Sequence, residues 1–266
     1  NHLIAKARGT IWSNIFKMLK PYFEQETGQQ FASGIKVLVQ VSVEFHELYG
    51  YSLTVLDIDP TYTLGDMARR RREIILRLEE EGVLTMNKEL DMPLAPQRIA
   101  VISSATAAGY GDFCDQLRNN PYGLSFQTKL FPAIMQGERV EESIISALES
   151  VYQELDEWNV VVLIRGGGAT SDLSGFDTYN LAANCAQFPL PIITGIGHER
   201  DETVLDIVAH TRVKTPTAAA EYLIGRLYET ALKLEDHASR VVNKVEERLN
   251  WEHTRLNRLS ERIPMN

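Results

Sequence analysis

Short apolar segments alternate with amphipathic ones from Arg98 onward, and this alternation constrains the fold more than any other feature of the sequence. The apolar segments are RIAVISS, LSFQTKLFP, VVVLIRGGG and PIITGIG. Between them GDFCDQLRNN, GERVEESIISALESVYQELDEW and DTYNLAANCAQF have helical spacing. Strands that are apolar on both faces are typical of a parallel sheet with helices packed on each side. The sequence therefore predicts a Rossmann-like, mostly parallel α/β domain over residues 97–222, with right-handed crossovers.

Residues 1–62 have a different, β-rich pattern. The segment IKVLVQVSVEFHEL places alternate residues on one apolar face, and GYSLTVLDIDP supplies a second strand after a turn. An earlier strand is expected in ARGTIWSNIF, followed by a short helix over residues 17–26. Because two or three strands form a poor independent sheet, we expect residues 1–62 to be part of a small barrel. The alternating face comprises Val37, Val39, Val41, Val43 and Phe45.

Residues 63–96 are expected to form a helix and a linker between these two regions. TLGDMARRRREIILRLEEEG has a helical pattern that Gly82 closes, and VLTMNKELDMPLAPQ has two prolines and little periodicity. We place the domain boundary near Pro96. The arginine run at residues 69–72 spreads around the helix, which is typical of a solvated face, although such a run can also guide a polyanion.

Residues 223–266 continue a long helical run that starts near Thr217. Its apolar residues recur at spacings of three and four, as in a narrow coiled-coil seam. The pattern predicts the start of a coiled coil with another chain or a hairpin; packing against its own domain is the alternative. The seam comprises Ala231, Leu234, Ala238, Val241, Val245, Leu249, Leu256, Leu259 and Ile263.

Composition narrows the classes of protein that remain. With 44% apolar and 24% charged residues the chain is of ordinary globular type, and no apolar run approaches the roughly 18 residues that a membrane span needs. From the lack of such a run we expect no membrane partner. Cys114 and Cys185 lie within apolar patterns and show no disulfide spacing, so we expect packing cysteines in a reducing cytoplasm. The net charge of −9 argues against a general nucleic-acid coat and leaves a local basic site open.

Unusual residues follow three of the predicted strands, and in an open parallel sheet ligands bind beyond the carboxyl ends of the strands. We therefore expect three clusters that are distant in sequence to meet at one edge. The first cluster holds Ser103, Ser104, Thr106, Gly109, Gly111 and Asp112, the second Arg165, Gly166, Gly167 and Gly168, and the third His198, Glu199, Arg200 and Asp201.

Each cluster has a functional and a structural interpretation. Glycines between a strand and a helix let backbone amides face an anion, yet they also relieve crowding in a tight turn. Asp112 suits either an active site or the N-terminus of a helix, and His198 either a ligand edge or a structural role. Thr215 is a plausible N-cap with Pro216 at the first helical position. The sequence has no phosphate-loop or dinucleotide fingerprint and no zinc spacing.

Three motifs together resemble a known family. RIAVISSATAAGYGDF, VLIRGGGATSDLSGFD and PIITGIGHERDETVLDIVAHTRVKTPTAAAE are similar to successive motifs of the large subunit of exonuclease VII, a bacterial nuclease for single-stranded DNA. GIKVLVQVSVEFHELYGYSLTVLDIDP is similar to the later strands of that family's N-terminal OB-fold, a single-strand binder. The resemblance implies a fragment with a partial OB-fold, the catalytic domain and a shortened coiled coil.

The resemblance also implies the activity and the residues that perform it. It implies hydrolysis of single-stranded DNA from both the 5′ and the 3′ end to short oligonucleotides with 5′-phosphates. No cofactor is required, Mg²⁺ at most stimulates, and the small subunit binds through the coiled coil. The catalytic residues carried over are Asp112, Arg165, His198 and Asp201, with Asp112 the one candidate metal contact. The expected phosphate or DNA contacts are Ser103, Ser104, Gly166, Gly167, Gly168, Glu199, Thr215 and Thr217.

Two aspects stay open at this point. The general base is not decided among His198, Asp112 and Asp201, and this chain departs from the family pattern at Ala105, Ala107, Ala169, Arg200, His210 and Val213. A non-catalytic single-strand-binding scaffold and a nucleotide or sugar-phosphate transferase are the alternative functions. The transferase would need a ribose-reading acid, for which the sequence has no recognisable spacing.

Overall fold

The computed structural model describes residues 7–29, 31–47, 50–166, 173–197 and 202–260. Its strands are β1 (Gly9–Ile11), β2 (Leu38–His46), β3 (Gly50–Asp59), β4 (Arg98–Ser103), β5 (Gln127–Pro132), β6 (Val160–Ile164), β7 (Ile192–Gly195) and β8 (Thr211–Arg212). Its helices are α1 (Ser13–Thr27), α2 (Pro60–Glu80), α3 (Ala108–Arg118), α4 (Val140–Gln153), α5 (Tyr179–Ala186), α6 (Val204–Val208) and α7 (Pro216–Ser260).

The larger sheet has five parallel strands in the order β5-β4-β6-β7-β8, which confirms the predicted α/β fold. β8 was not predicted, because its two residues, Thr211 and Arg212, carry no apolar run. From β4 the chain crosses to β5 on one side and then returns to β6 on the other. The strand order therefore reverses between β4 and β6, which makes the carboxyl ends of these two strands a topological switch point.

Helices cover both faces of this sheet. All five residues of β6 are buried, and alternate strand residues point to opposite faces. One face packs on α3 and α7, and the other on α4 and α5. Both cores thus depend on the continuously apolar strands that the sequence showed. The first core includes Ile99, Val101, Val162, Phe113, Leu117, Ala219 and Leu223, and the second Ala100, Ile102, Leu163, Ile144, Leu148, Phe176 and Leu181.

The N-terminal module, residues 7–59, has a three-stranded sheet in the order β1-β3-β2 and a core of its own. Leu19 and Phe23 of α1 pack there against Val55 and Ile58 of β3. The apolar face predicted for β2 is only partly buried. Its last two members, Val43 and Phe45, are 59% and 65% exposed because the module core does not extend to them.

Helix α2 joins the module to the α/β domain. At its start Asp59 accepts a hydrogen bond from Thr61 N at 2.9 Å, and Thr63 Oγ1 donates to Lys36 O at 2.8 Å. At its other end Leu78 is fully buried in the α/β core. Gly82, with a φ of 71°, follows the helix as predicted. α2 is therefore packed on both regions along its length.

The segment after α2 lacks regular structure, as predicted, but it is packed rather than free. Asn87 is fully buried and makes four hydrogen bonds. Its Nδ2 donates to Phe188 O at 3.0 Å and Leu190 O at 2.9 Å. Its Oδ1 accepts from Ile192 N at 2.9 Å and His210 N at 3.1 Å. One side chain thus fastens the segment to the amino edge of the sheet, where β7 and β8 begin.

Helix α7 confirms the predicted long helix. Thr215 caps it by accepting from Ala218 N at 3.1 Å, and Pro216 occupies its first position. Its first turns pack on the sheet through Leu223 and Leu227. Beyond them the described seam residues from Leu234 to Leu259 are exposed to solvent, and Ile263 lies outside the described residues. No helix within the described ranges is long and apolar enough to cross a membrane.

Candidate active site

A pocket of about 340 Å³ lies at the switch point, beyond the carboxyl ends of β4 and β6. Polar groups reach it from three strand ends. Ser104 and Thr106 follow β4, Gln136 follows β5, and Arg165 follows β6. The remaining lining residues are Ala107, Ala133, Ile134, Met135 and Gly166. The fold thus joins the first two predicted clusters, which lie about sixty residues apart in sequence.

Gly166, which lines this pocket, forms a close backbone contact with Gly109. A Cβ on Gly166 would lie 2.2 Å from Gly109 Cα, and a Cβ on Gly109 would lie 2.5 Å from Gly166 Cα. Neither position admits a side chain without moving backbone. The first glycine of the RGGG motif therefore lacks a side chain because α3 begins against it, which agrees with the crowding interpretation. Its amide as a phosphate contact stays a prediction.

Asp112 lies on α3, the helix that begins at this glycine contact. α3 begins at Ala108, earlier than the sequence indicated, so Asp112 is in the second turn and the first turn has no acidic residue. The helix-terminus interpretation of Asp112 therefore does not apply. Asp112 lies one turn after Gly109 and so on the same side of α3. Its carboxylate is exposed and has no hydrogen-bond or ion-pair partner among the described residues.

The two serines after β4 differ in what they contact. Ser103 is fully buried, and its Oγ donates to Ile164 O at 2.8 Å. It ties β4 to β6 and does not face the pocket. Ser104 is half-buried, lines the pocket and lies 3.2 Å from Thr106 Oγ1 through its Oγ. Of the two serines, Ser104 lines the pocket and Ser103 does not, and a contact with phosphate stays a prediction.

The start of α7 forms another wall of this edge. Gly195, the last residue of β7, is close-packed, since a Cβ there would lie 3.1 Å from Thr215 O. Pro216 lies against Gly109 in the same way, at 2.8 Å from a Cβ placed there. The Thr215 and Thr217 hydroxyls are 2.8 Å apart. The start of α7 therefore lies at the carboxyl edge of the sheet, where Thr215 also caps the helix, and the contact of Thr215 and Thr217 with DNA stays a prediction.

Five predicted site residues lie outside the described residues: Gly167, Gly168, His198, Glu199 and Asp201. The described flanks show which edge they leave from. Arg165 follows the end of β6 and its N donates to Gly195 O at 3.2 Å, where β7 ends. The described flanks of both segments thus lie at the carboxyl ends of neighbouring strands.

Asp206 holds the chain that follows the third cluster. It is buried, and its Oδ1 accepts from Thr194 Oγ1 at 2.6 Å. Its Oδ2 accepts from Thr203 N at 3.0 Å and Thr203 Oγ1 at 2.8 Å, which forms a capping box at the start of α6. The carboxylate thereby joins β7 to the residues just after Asp201.

Comparison with known proteins decides the family. The family model described as "Exonuclease VII, large subunit" matches residues 83–266, more than half of the chain. The chain belongs to the exonuclease VII large-subunit family. Curated relatives named exodeoxyribonuclease 7 large subunit include one from Deinococcus radiodurans, 35% identical over 95% of this chain and 63% of its own length.

Other relatives of the same name give the same result. One from Lactobacillus helveticus is 30% identical over 93% of this chain and 55% of its own length. One from a Nostoc species is 35% identical over 79% of this chain and 50% of its own length. The chain therefore spans between about half and two thirds of the length of these exonuclease VII subunits.

One departure from the exonuclease VII pattern lies away from the candidate site. His210 precedes β8, at the amino edge, with Nε2 3.0 Å from Leu90 O and Nδ1 2.8 Å from Thr211 Oγ1. Because a carbonyl only accepts, Nε2 carries the proton in this bond. Burial, aided by Arg226, lowers the pKa of His210, while the bond to Leu90 O opposes it. His210 therefore fastens the connecting segment.

Sequence reasoning missed Gln136 and Asp206. Gln136 follows the predicted strand LSFQTKLFP, so the rule that ligands bind at carboxyl ends would have included it with the other clusters. Asp206 follows Thr203 by three residues and completes a capping box, a spacing that is visible in the sequence TVLD. Both signals were present, but neither residue belongs to an unusual glycine or histidine cluster.

Proposed function

We propose that this chain carries the catalytic part of an exonuclease VII large subunit and hydrolyses phosphodiester bonds of single-stranded DNA from both ends. The products are short oligonucleotides with 5′-phosphates. The observation that carries the proposal is the convergence of Ser104, Arg165 and Gly166 at the switch point of a chain that belongs to this family. A pocket lined by an arginine and hydroxyl groups suits a phosphodiester.

The proposed chemistry divides the work among four side chains. Arg165, with the amides of Gly166 and its two following glycines, holds the phosphoryl oxygens and neutralises the charge that grows in the transition state. His198 acts as the general acid that protonates the leaving oxygen, oriented by Asp201. Asp112 activates the attacking water. Its exposed carboxylate beside the Gly109–Gly166 contact supports this role.

We propose that the reaction needs no metal, with Mg²⁺ as a stimulator only. An arginine is permanently charged and binds phosphate oxygens through two parallel donors, so it supplies the charge that a metal would otherwise contribute. In the part of the chain that the structure describes, no group of three or more His, Cys, Asp and Glu could hold a metal ion. Asp112 is the candidate contact for Mg²⁺.

The test uses the full-length large subunit assembled with its small subunit. End-labelled single strands are incubated with wild type, Arg165→Ala and His198→Ala, each with and without EDTA. We expect wild type to cleave in EDTA and each variant to be slower by about 100-fold or more. Arg118→Ala is the matched control, because Arg118 is an exposed arginine at the other end of α3, paired with Asp115 at 3.3 Å.

Three results would each overturn part of this proposal. Wild type that releases no product from either end would exclude the nuclease, and single-strand binding without cleavage would favour the scaffold alternative. Arg165→Ala and His198→Ala variants as fast as Arg118→Ala would exclude the proposed roles. Complete loss of activity in EDTA would exclude the metal-free reaction.

We propose that the small subunit binds the exposed seam of α7. Among the described members of this stripe, six are at least half exposed on a helix that extends past the sheet. A row of apolar residues at spacings of three and four needs a partner helix to be stable in water. These six are Leu234, Val241, Val245, Leu249, Leu256 and Leu259.

The proposed compartment is the cytoplasm. Cys114 and Cys185 are both free thiols, and Cys185 is fully buried in the α/β core. Burial raises the pKa of the Cys185 thiol, which keeps it protonated and unreactive. The pair thus agrees with a reducing environment, where thiols serve as small packing groups.

A further inference from the structure

Asp177 connects two elements that are far apart in sequence. It lies between the short helical turn at Ser174–Phe176 and α5. Its Oδ2 accepts from Arg71 of α2, through Nε at 3.1 Å and also through Nη2. Its Oδ1 accepts from Val204 N at 2.7 Å. One carboxylate therefore binds both α2, the helix that joins the module to the α/β domain, and the first residue of α6.

The contact with Val204 lies close in sequence to the third predicted cluster. Val204 lies three residues after Asp201 of the G-H-E-R-D segment and begins α6. α6 has only five residues, too few to be stable by itself. Its start is held by two carboxylates instead. Asp206 binds Thr203 from within α6, and Asp177 binds Val204 from outside it.

The Arg71 pair is more than a surface ion pair. The Asp177 and Arg71 side chains are 13% and 33% exposed, and two donors of one guanidinium reach the same oxygen. Burial raises the pKa of Asp177, although Arg71 and Val204 N act against this. Removing Arg71 would leave a mostly buried charge without its cation, which disfavours the ionised carboxylate, the stronger acceptor for Val204 N. Arg71 thus supports the Asp177–Val204 bond.

Arg71 is also unlike its neighbours in the arginine run. Arg69 and Arg70 pair with Asp66 on their own helix, at 2.5 Å and 2.8 Å, and all their partners lie on α2. Arg71 alone of these three reaches the α/β domain. It does so at a point where α2 already packs on the core through Leu78 and its neighbours. The pair is therefore held in place by the surrounding packing.

We propose that Asp177, supported by Arg71, is a positioning residue for the segment that carries His198 and Asp201. Neither residue lines the switch-point pocket, so neither is expected to touch substrate. Their effect passes through Val204 N to the end of the segment. The expected change in kcat rests on the proposed function. The expected change in the structure of α6 rests only on the hydrogen bonds of Asp177.

The kinetic test compares Asp177→Asn and Arg71→Gln with wild type in the assembled full-length enzyme, well below the melting temperature of each variant. Because misplacing a reacting group by about 1 Å costs up to about 100-fold, we expect kcat to fall between about 10- and 100-fold. KM for single-stranded DNA is expected to change less than about 2-fold, since the groups that hold phosphate stay in place. A general loss of stability would not produce this split.

A double variant and two controls refine the test. Asp177→Asn with Arg71→Gln is expected to be no slower than Asp177→Asn alone, because the two residues act as one unit. Arg71→Lys keeps the charge and is expected to retain more activity than Arg71→Gln. Asp66→Asn is the matched control for an ion-paired aspartate that contacts only the module and α2, and it is expected to match wild type.

Hydrogen exchange tests the same inference with a measurement that does not depend on DNA cleavage. Amide exchange in residues 202–206 is expected to accelerate in Asp177→Asn and Arg71→Gln and to stay unchanged in Asp66→Asn. If wild type does not cleave DNA but exchange accelerates, the proposed function fails and the anchoring stands. If wild type cleaves DNA and both variants keep its kcat and its exchange, the inference is wrong.

Discussion

The two edges of the five-stranded sheet are built in opposite ways. At the amino edge, polar side chains are paired with backbone: Asn87 makes four hydrogen bonds, His210 reaches Leu90, and Arg226 donates to Met92 O at 3.1 Å. At the carboxyl edge, backbone packs on backbone at Gly109 and Gly166, and the carboxylate of Asp112 is left exposed. One edge stabilises the domain, and the other leaves polar groups available for a ligand.

This division makes separate predictions for stability and for activity. Substitutions at the amino edge are expected to lower the free energy of unfolding and to spare the chemistry. Substitutions of exposed polar groups at the carboxyl edge are expected to leave the free energy of unfolding nearly unchanged and to slow the reaction. The glycine contact, which is both packing and pocket wall, is expected to affect the two together.

The largest effect is expected for Gly109→Ala. The added Cβ would lie 2.5 Å from Gly166 Cα and 2.8 Å from Pro216 Cγ, so backbone must move. We expect unfolding to be easier by about 3 kcal/mol and cleavage to slow by about 100-fold. Gly111→Ala is the matched control on the same helix, where the Cβ meets open space, and it is expected to add up to about 1 kcal/mol of stability. Equal behaviour of the two variants would contradict the close contact.

Asn87→Ala comes next and tests the amino edge. It removes four hydrogen bonds and leaves buried backbone groups unpaired, so we expect a loss of about 3 kcal/mol in a denaturant titration. The kcat of the folded variant is expected to stay within about 2-fold of wild type. Asn184→Ala serves as control, because its exposed amide bonds only Asn180 O. A fall in kcat as large as that of an active-site variant would show that the two edges are not independent.

Asp112→Asn tests the carboxyl edge, where we expect activity to fall and stability to stay unchanged. The exposed side chain has no partner in the described part of the chain, so the free energy of unfolding is expected to change by less than about 0.5 kcal/mol. Cleavage is expected to slow by about 100-fold, since Asn cannot accept a proton from water. Asp115→Asn on the same helix is the control. If the two variants cleave equally fast, Asp112 has no part in the reaction.

The smallest effect is expected from His210. Its pKa is lowered in the folded protein, so the unfolded chain binds more protons as the pH falls. The free energy of unfolding is therefore expected to decrease as the pH drops below the ordinary histidine pKa of 6.5. Thermal unfolding of wild type and His210→Gln between pH 8 and pH 5 checks this. The variant is expected to show a shallower decrease, and an identical slope would refute the assignment.

The sequence predicted the part of the fold that local pattern determines. The apolar runs identified β4, β6 and β7, and Thr215 with Pro216 marked the start of α7. The strand order is not a local property, so the switch point between β4 and β6 was not predicted. β8 was missed because two residues carry no periodicity.

The sequence predicted the position of site residues that a local motif identifies. It did not predict the role of residues whose contacts come from distant parts of the chain. Arg165 and Ser104 were placed correctly at a strand edge. Ser103 was expected to contact phosphate, but its hydroxyl is used inside the sheet. Gly166 has no side chain because of Gly109, which is distant in sequence and adjacent only after folding. Asn87 lay in an apparent linker whose partners likewise come from elsewhere in the chain.

Helix α7 passes from one edge of the sheet to the other and then leaves it. It starts at Pro216 beside Gly109, passes Met92 at Arg226 and continues to Ser260, and its 45 residues span roughly 68 Å at about 1.5 Å each. Because an α-helix turns by about 100° per residue, the direction of the exposed stripe is set by the helix register at the candidate site. One residue inserted between Pro216 and Leu227 would turn the stripe by about 100° and carry it to another side of the protein.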